Sequence, residues 1–186
     1  VTARRQATVS AQITGTLSEV LIEEGEHVEA GQVLARLEDT AQQANLAQAQ
    51  AQVAQARAQV GQFQARLDQA RRDLLRQQDL VGRKLVSKQA VETAQTEVDT
   101  LAAQLTAQQR SVDLASAQAR SAQVQLDYTT VRAPFAGVII AKAAQVGEIV
   151  SPLSAGGGFT RTGVGTIVDM DSLEIEVDVN ESYINR

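Results

Sequence analysis

Residues that could carry out catalysis or bind a metal are few and scattered in this sequence. His27 is the only histidine among 186 residues, and there is no cysteine. It falls in a polar turn-like stretch without partner ligands for a metal ion. The acidic pairs Glu23-Glu24 and Asp169/Asp171 stand in turn contexts, where solvated carboxylates are common. Because no nucleophile, base and orienting group form a set, the sequence predicts no enzyme, no metal and no cofactor.

Two further classes of ligand are disfavoured. The run Gly156-Gly157-Gly158 is glycine-rich like a phosphate loop but lacks the Gly-Lys-Ser/Thr ending, so we expect a flexible loop there. The net charge is −5 and no run of lysine and arginine is present, which argues against nucleic acid.

No stretch approaches the roughly 18 apolar residues that span a bilayer. We therefore expect any membrane anchor to lie outside these residues.

Three regions of different composition follow one another along the chain. Residues 1–40 are rich in glycine and β-branched residues, which is typical of short strands. Residues 41–126 contain no proline, only two glycines, and mainly alanine, glutamine, arginine and leucine, which favour helix. From Asp127 the strand pattern returns, interrupted by Pro134 and Pro152. The composition predicts a β region that is interrupted by a long helical insertion.

The two β segments contain the same short pattern. In each, a second glycine follows the first by ten positions and opens a Gly-Glu-x-Val sequence. A repeated glycine pair indicates a repeated turn, since glycine readily adopts positive φ. Gly25 and Gly147 are the predicted turn residues. At a constant offset of 122, the pairs are Gly15 and Gly137, Gly25 and Gly147, Glu26 and Glu148, and Val28 and Val150, with Leu17 matching Ile139.

The helical insertion carries two series of heptads. Apolar residues recur every seven positions over about five heptads in each half, which predicts a coiled coil. Small residues occupy most of the d positions, which are Ala49, Ala56, Phe63, Ala70 and Gln77 in the first half and Ser87, Ala94, Leu101, Gln108, Ala115 and Ala122 in the second. The a positions are Leu46, Val53, Val60, Leu67, Leu74 and Val81 in the first half, and Val91, Val98, Leu105, Val112, Ala119 and Leu126 in the second.

Folding the two halves into an antiparallel hairpin aligns each large a residue with a small d residue in most layers. The alignment has its turn near Lys84, and facing residues have numbers that add up to 168. It pairs Leu74 with Ala94 and Phe63 with Leu105. Alternation of large and small side chains lets two helices approach closely without voids. With about 40 residues in each arm, the hairpin should be about 60 Å long.

The ends of the two helices are marked by residues that commonly terminate helices. Gly82 is typical of a helix C-terminus, and we assign it to the turn together with Gly25 and Gly147. Ser87 is typical of the N-cap of the returning helix.

The two β segments resemble the halves of a lipoyl/biotinyl-type domain, in residues 24–34 and 132–139. Carrier domains of that type bear a modified lysine on the hairpin between their halves. Here the junction is Glu38-Asp39-Thr40, which contains no lysine and leads into the coiled coil. A biotin or lipoate carrier is therefore disfavoured. A lipoyl-like domain split by a helical hairpin resembles the periplasmic adaptors, or membrane fusion proteins, of the HlyD-like family, including those of resistance-nodulation-division (RND) efflux pumps.

This resemblance implies an α+β fold in four parts. A lipoyl/biotinyl-type β barrel-sandwich domain is formed by residues 7–40 and 127–168 and is split by an antiparallel coiled-coil hairpin at 41–126. Residues 1–6 are expected to be a strand of a truncated membrane-proximal or β-barrel region. Residues 169–186 are expected to begin a truncated β-barrel domain.

The hairpin end carries a pattern that RND adaptors and related ABC-pump adaptors share, Arg-x3-Leu-x6-Ser. It matches Arg76, Leu80 and Ser87. In the family these positions meet a TolC-like outer-membrane duct, so the resemblance implies docking through them. Leu80 is notable because it falls at g, beside the apolar seam.

The resemblance further implies the partners and the compartment. We expect a periplasmic ring, hexameric by resemblance, anchored to the inner membrane through a segment outside these residues. The partners would be an inner-membrane RND transporter and a TolC-like channel. An adaptor of an ABC-type exporter is the nearest alternative. A purely structural coiled-coil spacer is a third, but it leaves the Gly-Glu-x-Val repeat unexplained.

Overall fold

The computed structural model describes residues 2–3, 5–152, 160–170 and 173–174, in two compact units. One unit comprises residues 1–41 and 125–186, and the other residues 42–124. The glycine run at 156–158 and nearly all of the C-terminal region from 171 lie outside the described residues. The strands are β1 Thr2–Ala3, β2 Gln6–Val9, β3 Gly15–Val20, β4 His27–Val28, β5 Val33–Leu37, β6 Thr130–Arg132, β7 Gly137–Lys142, β8 Ile149–Val150, β9 Thr160–Arg161, β10 Gly165–Val168 and β11 Leu173–Glu174; the helices are α1 Thr40–Gly82 and α2 Lys88–Asp127.

The first unit is built from two main sheets. One has the strand order β2-β10-β7-β4 and the other β6-β5-β3-β8-β9, while β1 pairs antiparallel with β11. Both sheets combine strands from before and after the helices, so neither β segment forms its own sheet. Their apolar side chains form one core that includes Leu17, Leu34, Ile139 and Ile167, which are almost fully buried. Burial of these side chains is the main stabilising contribution in this unit.

The repeat seen in the sequence appears as reciprocal hydrogen bonds. The amide of Gly25 donates to the carbonyl of Ile139, and the amide of Gly147 donates to the carbonyl of Leu17, both at 2.8 Å. Gly25 and Gly147 have φ of +86° and +89°. Strand pairing is exchanged in the same way, since Gly15 lies opposite Val150 and Gly137 opposite Val28. The two motifs therefore occupy equivalent places and cross over onto each other.

The second unit is an antiparallel pair of helices with an apolar seam. Every a and d position predicted from the heptads is buried or half-buried except Ser87. Phe63 and Leu105, and likewise Leu74 and Ala94, belong to one apolar cluster. Gln108 donates to Gln59 across the pair at 2.6 Å, and these two numbers add up to 167, one less than the predicted 168. A register shifted by a heptad would separate the two glutamines.

The predicted α+β class, a β domain interrupted by an antiparallel helical hairpin, is thus confirmed. At the junction, β5 ends at Leu37 and α1 begins at Thr40. The Glu38 carboxylate accepts hydrogen bonds from the Thr40 hydroxyl and amide. Where a carrier domain would present its lysine, this chain starts a helix. No helix among the described residues is long and apolar enough to cross a membrane.

Candidate functional site: the hairpin tip

The turn between the helices is closed by backbone hydrogen bonds of the Schellman type. The Leu85 amide donates to the Leu80 carbonyl and the Lys84 amide to the Val81 carbonyl, both at 2.9 Å. In this motif the residue after the helix adopts the left-handed conformation. That residue is Lys84, with φ +61°.

Gly82, predicted to end the first helix and to belong to the turn, does not take the left-handed conformation. Gly82 is the last residue of α1, as a helix terminator should be, but positive φ among glycines is confined to Gly25, Gly31 and Gly147 in the described part of the chain. The hydrogen bonds close two residues further on, so Lys84 takes the left-handed conformation, which costs a residue with a Cβ about 1–2 kcal/mol.

Arg76 is exposed and partly engaged. Its guanidinium lies 3.0 Å from the Asp73 carboxylate, and 67% of the Arg76 side chain is accessible. An ion pair this exposed contributes little to stability, since water and salt screen it. The guanidinium has five N–H donors, so one contact with Asp73 leaves others for a partner. The geometry is compatible with binding carboxylates or helix-end carbonyls.

Leu80 and Ser87 have different surroundings. Leu80 is half-buried, and its carbonyl accepts the hydrogen bond that closes the turn. In a Schellman motif the residue at this position is commonly apolar, because it packs against the second residue after the helix end. The apolar character of Leu80 therefore also suits the turn. Ser87 is exposed and directly precedes α2, and its carbonyl accepts from the Ala90 amide at 3.1 Å. Among the described residues its hydroxyl makes no hydrogen bond, so the side-chain contact typical of an N-cap is not formed.

The structure places the three residues of the pattern at one end of the hairpin. Arg76 and Leu80 are one helical turn apart on the same face of α1. Ser87 lies beyond the turn, at the start of α2. Their role in docking stays a prediction, because geometry alone does not identify what binds there.

Sequence reasoning missed Leu85. This residue is 67% exposed at the turn itself, more than any other large apolar residue in the described part of the chain. Heptad counting does not register it, because it lies between the two heptad series. In the structure it follows the left-handed Lys84, at a position where an apolar side chain often packs back on the helix. Here it stays largely in solvent.

The tip is also basic. Residues 76–88 carry four cations and one carboxylate, in a chain whose net charge is −5. Arg83 is paired with that carboxylate, Asp79, at 2.9 Å. In the described part of the chain no His/Cys/Asp/Glu cluster suited to a metal is found. The hairpin tip is the candidate functional surface, because the three pattern residues, an exposed leucine and a concentration of positive charge lie together there.

Comparison with known proteins agrees with the fold. Residues 5–157 match the family described as "RND MFP, barrel-sandwich hybrid domain". Multidrug resistance protein MdtA of Klebsiella pneumoniae is 34% identical over 184 residues, which is 99% of this chain and 40% of that protein. MdtA of Escherichia coli is 33% identical over the same shares. The chain thus spans about 40% of the length of these relatives.

The fold is also that of a solved relative. The crystal structure of MacA from Actinobacillus actinomycetemcomitans matches with a TM-score of 0.79 and 23% identity, over 90% of this chain and 50% of that one. Membrane fusion adaptors are not enzymes, so the prediction that this chain is not an enzyme is confirmed. A family match over most of the chain, a split β domain and a long helical hairpin lead to one assignment: the chain belongs to the membrane fusion proteins of the RND transporters.

Proposed function

We propose that this chain is the central part of a periplasmic adaptor that links an inner-membrane RND transporter to a TolC-like outer-membrane duct. The observation that carries the proposal is the hairpin tip, where Arg76, Leu80 and Ser87 stand at the family spacing on a long two-helix arm. A coiled coil of this length suits a spacer that presents a contact surface at its end. Efflux would then depend on binding at the tip and not on a reaction there.

Membership of the RND family favours an RND transporter over an ABC exporter as the inner-membrane partner. The relatives are named multidrug resistance proteins, which supports drugs as the transported class. By resemblance, several copies form a ring, hexameric in our proposal, that encloses the passage between the two membranes. The localisation we propose is the periplasm, with an inner-membrane anchor outside these residues.

The domain organisation we propose keeps the predicted boundaries. Residues 7–40 and 127–168 form the lipoyl-like domain, and residues 41–126 form the hairpin. Residues 1–6 and 169–186 belong to a further β region, and the antiparallel pairing of Thr2–Ala3 with Leu173–Glu174 supports this grouping.

The proposal is tested by Arg76→Asp and Leu80→Asp in the full-length protein. Each change removes a predicted contact and adds a negative charge, so we expect drug resistance to be lost. A leucine that is fully buried at an interface contributes about 1.5–3 kcal/mol, so losing that contact lowers affinity by about tenfold or more. Resistance is measured in cells that carry each variant as their only adaptor, beside thermal unfolding of the purified protein.

The chain offers matched controls. Arg72→Asp and Leu75→Asp make the same changes on α1 at exposed positions outside the pattern, and both should keep resistance. Because Leu80 is half-buried, its variant counts only if its unfolding temperature matches that of Leu75→Asp. Wild-type resistance in both tip variants would contradict the proposal, and docking would then have to occur elsewhere.

A further inference from the structure

The turn at the hairpin tip has an unusual residue at its left-handed position. Lys84 is the only residue other than glycine with positive φ in the described part of the chain. Glycine adopts this conformation without the steric cost that a Cβ brings, and Gly82 lies only two positions away. Strained backbone of this kind tends to occur at functional sites. The steric cost of this conformation makes the Lys84 side chain a candidate for a functional role.

Leu85 adds an exposed apolar side chain next to Lys84. It is 67% accessible, although its backbone is held by the hydrogen bond from its amide to the Leu80 carbonyl at 2.9 Å. A side chain on a fixed backbone loses less conformational entropy on binding than one on a mobile loop. An exposed leucine in a fixed turn is suited to enter a socket on a partner.

The charges next to Leu85 are not neutralised within the described chain. Arg76 is paired with Asp73 and Arg83 with Asp79, but neither Lys84 nor Lys88 takes part in an ion pair there. Two free ammonium groups therefore stand one and three positions from the exposed leucine. This arrangement complements an apolar socket that is bordered by carboxylates, and like charges on the partner would oppose it.

We infer that Lys84, Leu85 and Lys88 form a second contact within the docking surface, and that the partner duct presents an apolar socket flanked by acidic side chains to it. The inference rests on the proposed function, because it takes the outer-membrane duct as the occupant. It differs from the Arg76, Leu80 and Ser87 pattern in its residues and in its chemistry. Leu85 fills the socket, and the two lysines select for acidic partners.

Three substitutions in the full-length adaptor separate charge, strain and apolar contact. Lys84→Gly removes the charge and relieves the left-handed strain, so binding should fall while the unfolding temperature stays the same or rises. Lys84→Arg keeps the charge in the same backbone position, so binding should be retained. Leu85→Ser removes the apolar contact at an exposed position and should leave unfolding unchanged.

Binding is measured with immobilised full-length adaptor and the detergent-solubilised duct protein of the same cell, at low and at raised salt. We expect Lys84→Gly to weaken binding about tenfold at low salt and less at high salt, because salt screens the lost attraction. Leu85→Ser should weaken binding about tenfold at both salt concentrations. Vesicles containing phosphatidylglycerol are assayed in parallel as a source of anionic headgroups.

Wild-type binding by Lys84→Gly or by Leu85→Ser overturns the inference, and so does a loss in Lys84→Gly that does not depend on salt. It is also overturned if Lys84→Gly loses vesicle binding and keeps duct binding, since the lysine would then serve a membrane surface. Arg76→Asp and Leu80→Asp are measured in the same assay. If only these two lose binding, the proposed function stands and the inference fails; if none of the variants loses binding, the proposed function fails as well.

Discussion

Each residue of the repeated Gly-Glu-x-Val pattern has a separate physical role. The glycine takes positive φ, and the glutamate carboxylate accepts a hydrogen bond from the amide three residues earlier: Glu26 from Glu23 at 2.9 Å, and Glu148 from Gln145 at 3.0 Å. The valine is buried in the core, as Val28 shows. Each half of the domain needs a glycine for the turn, a carboxylate that accepts a hydrogen bond from the turn, and a valine for the core. The pattern therefore occurs in both halves.

Replacing each of three glycines by alanine should change the free energy of unfolding in a different way. At Gly61, exposed within α1, alanine should stabilise by about 0.5–1 kcal/mol because glycine is a poor helix former. At Gly25 the space is open but φ is +86°, so alanine should destabilise by about 1–2 kcal/mol. At Gly137 a Cβ would lie 2.4 Å from the Val168 carbonyl oxygen, and we expect a loss of about 3 kcal/mol or more.

Denaturant unfolding of the purified chain measures these differences. The helical signal reports the unit that contains Gly61, and the β signal reports the unit that contains Gly25 and Gly137. Equal effects at Gly25 and Gly137 would contradict the assignment of strain to one and a backbone clash to the other.

At the scale of the element, the hairpin depends on how large and small residues alternate along its seam. Ala56 is buried at a d position, and the register places it opposite Val112, so the layer is narrow. Gln77 is also at d, but its side-chain oxygen is buried without a hydrogen-bond partner among the described residues. A buried polar atom that lacks a partner costs about 1–3 kcal/mol. The seam therefore contains one layer, at Ala56, without room for a larger side chain, and one layer, at Gln77, with a buried polar atom that lacks a hydrogen-bond partner among the described residues.

The same substitution at these two positions should have opposite effects. Ala56→Leu overfills its layer and should destabilise the hairpin by about 1–3 kcal/mol. Gln77→Leu removes the unsatisfied oxygen, extends the apolar seam and should stabilise by about 1 kcal/mol. Helical circular dichroism during thermal unfolding gives both values. Destabilisation by Gln77→Leu would mean that the glutamine has a partner in solution.

At the scale of the whole molecule, the helical insertion interrupts a β domain whose strands meet without it. The Leu37 amide at the end of β5 donates to the Thr129 carbonyl, just before β6, at 2.8 Å. The chain enters and leaves the insertion at neighbouring points, as carrier domains do with a short hairpin. The unit formed by residues 1–41 and 125–186 also has its own core.

We therefore expect the β unit to fold when residues 42–124 are replaced by a short Gly/Ser linker. The shortened chain should give a β-type spectrum and a cooperative unfolding transition, because closing a short loop between adjacent strand ends costs little entropy. It should not bind the outer-membrane duct. A chain without a cooperative transition would show that the hairpin is required for the β unit to fold.

Much of this architecture could be predicted from the sequence, because the patterns that encode it are local or repeat at a constant offset. A seven-residue period makes a coiled-coil helix whatever surrounds it, and the register follows from matching large to small residues. The reciprocal turns follow from one glycine pattern that occurs twice. The family spacing of Arg76, Leu80 and Ser87 is visible in the sequence and predicts the candidate surface.

Only the tertiary structure decided what the tip presents. The left-handed residue is Lys84 and not Gly82, because the hydrogen bonds that close the turn depend on where both helices end. Leu80 is half-buried and Leu85 exposed, and no spacing rule distinguishes these two leucines. Exposure depends on all the neighbours that surround a side chain, and at a turn those neighbours come from both helices. The sequence by itself determined that two helices meet here, and the packing of their ends determined which side chains are exposed at the turn.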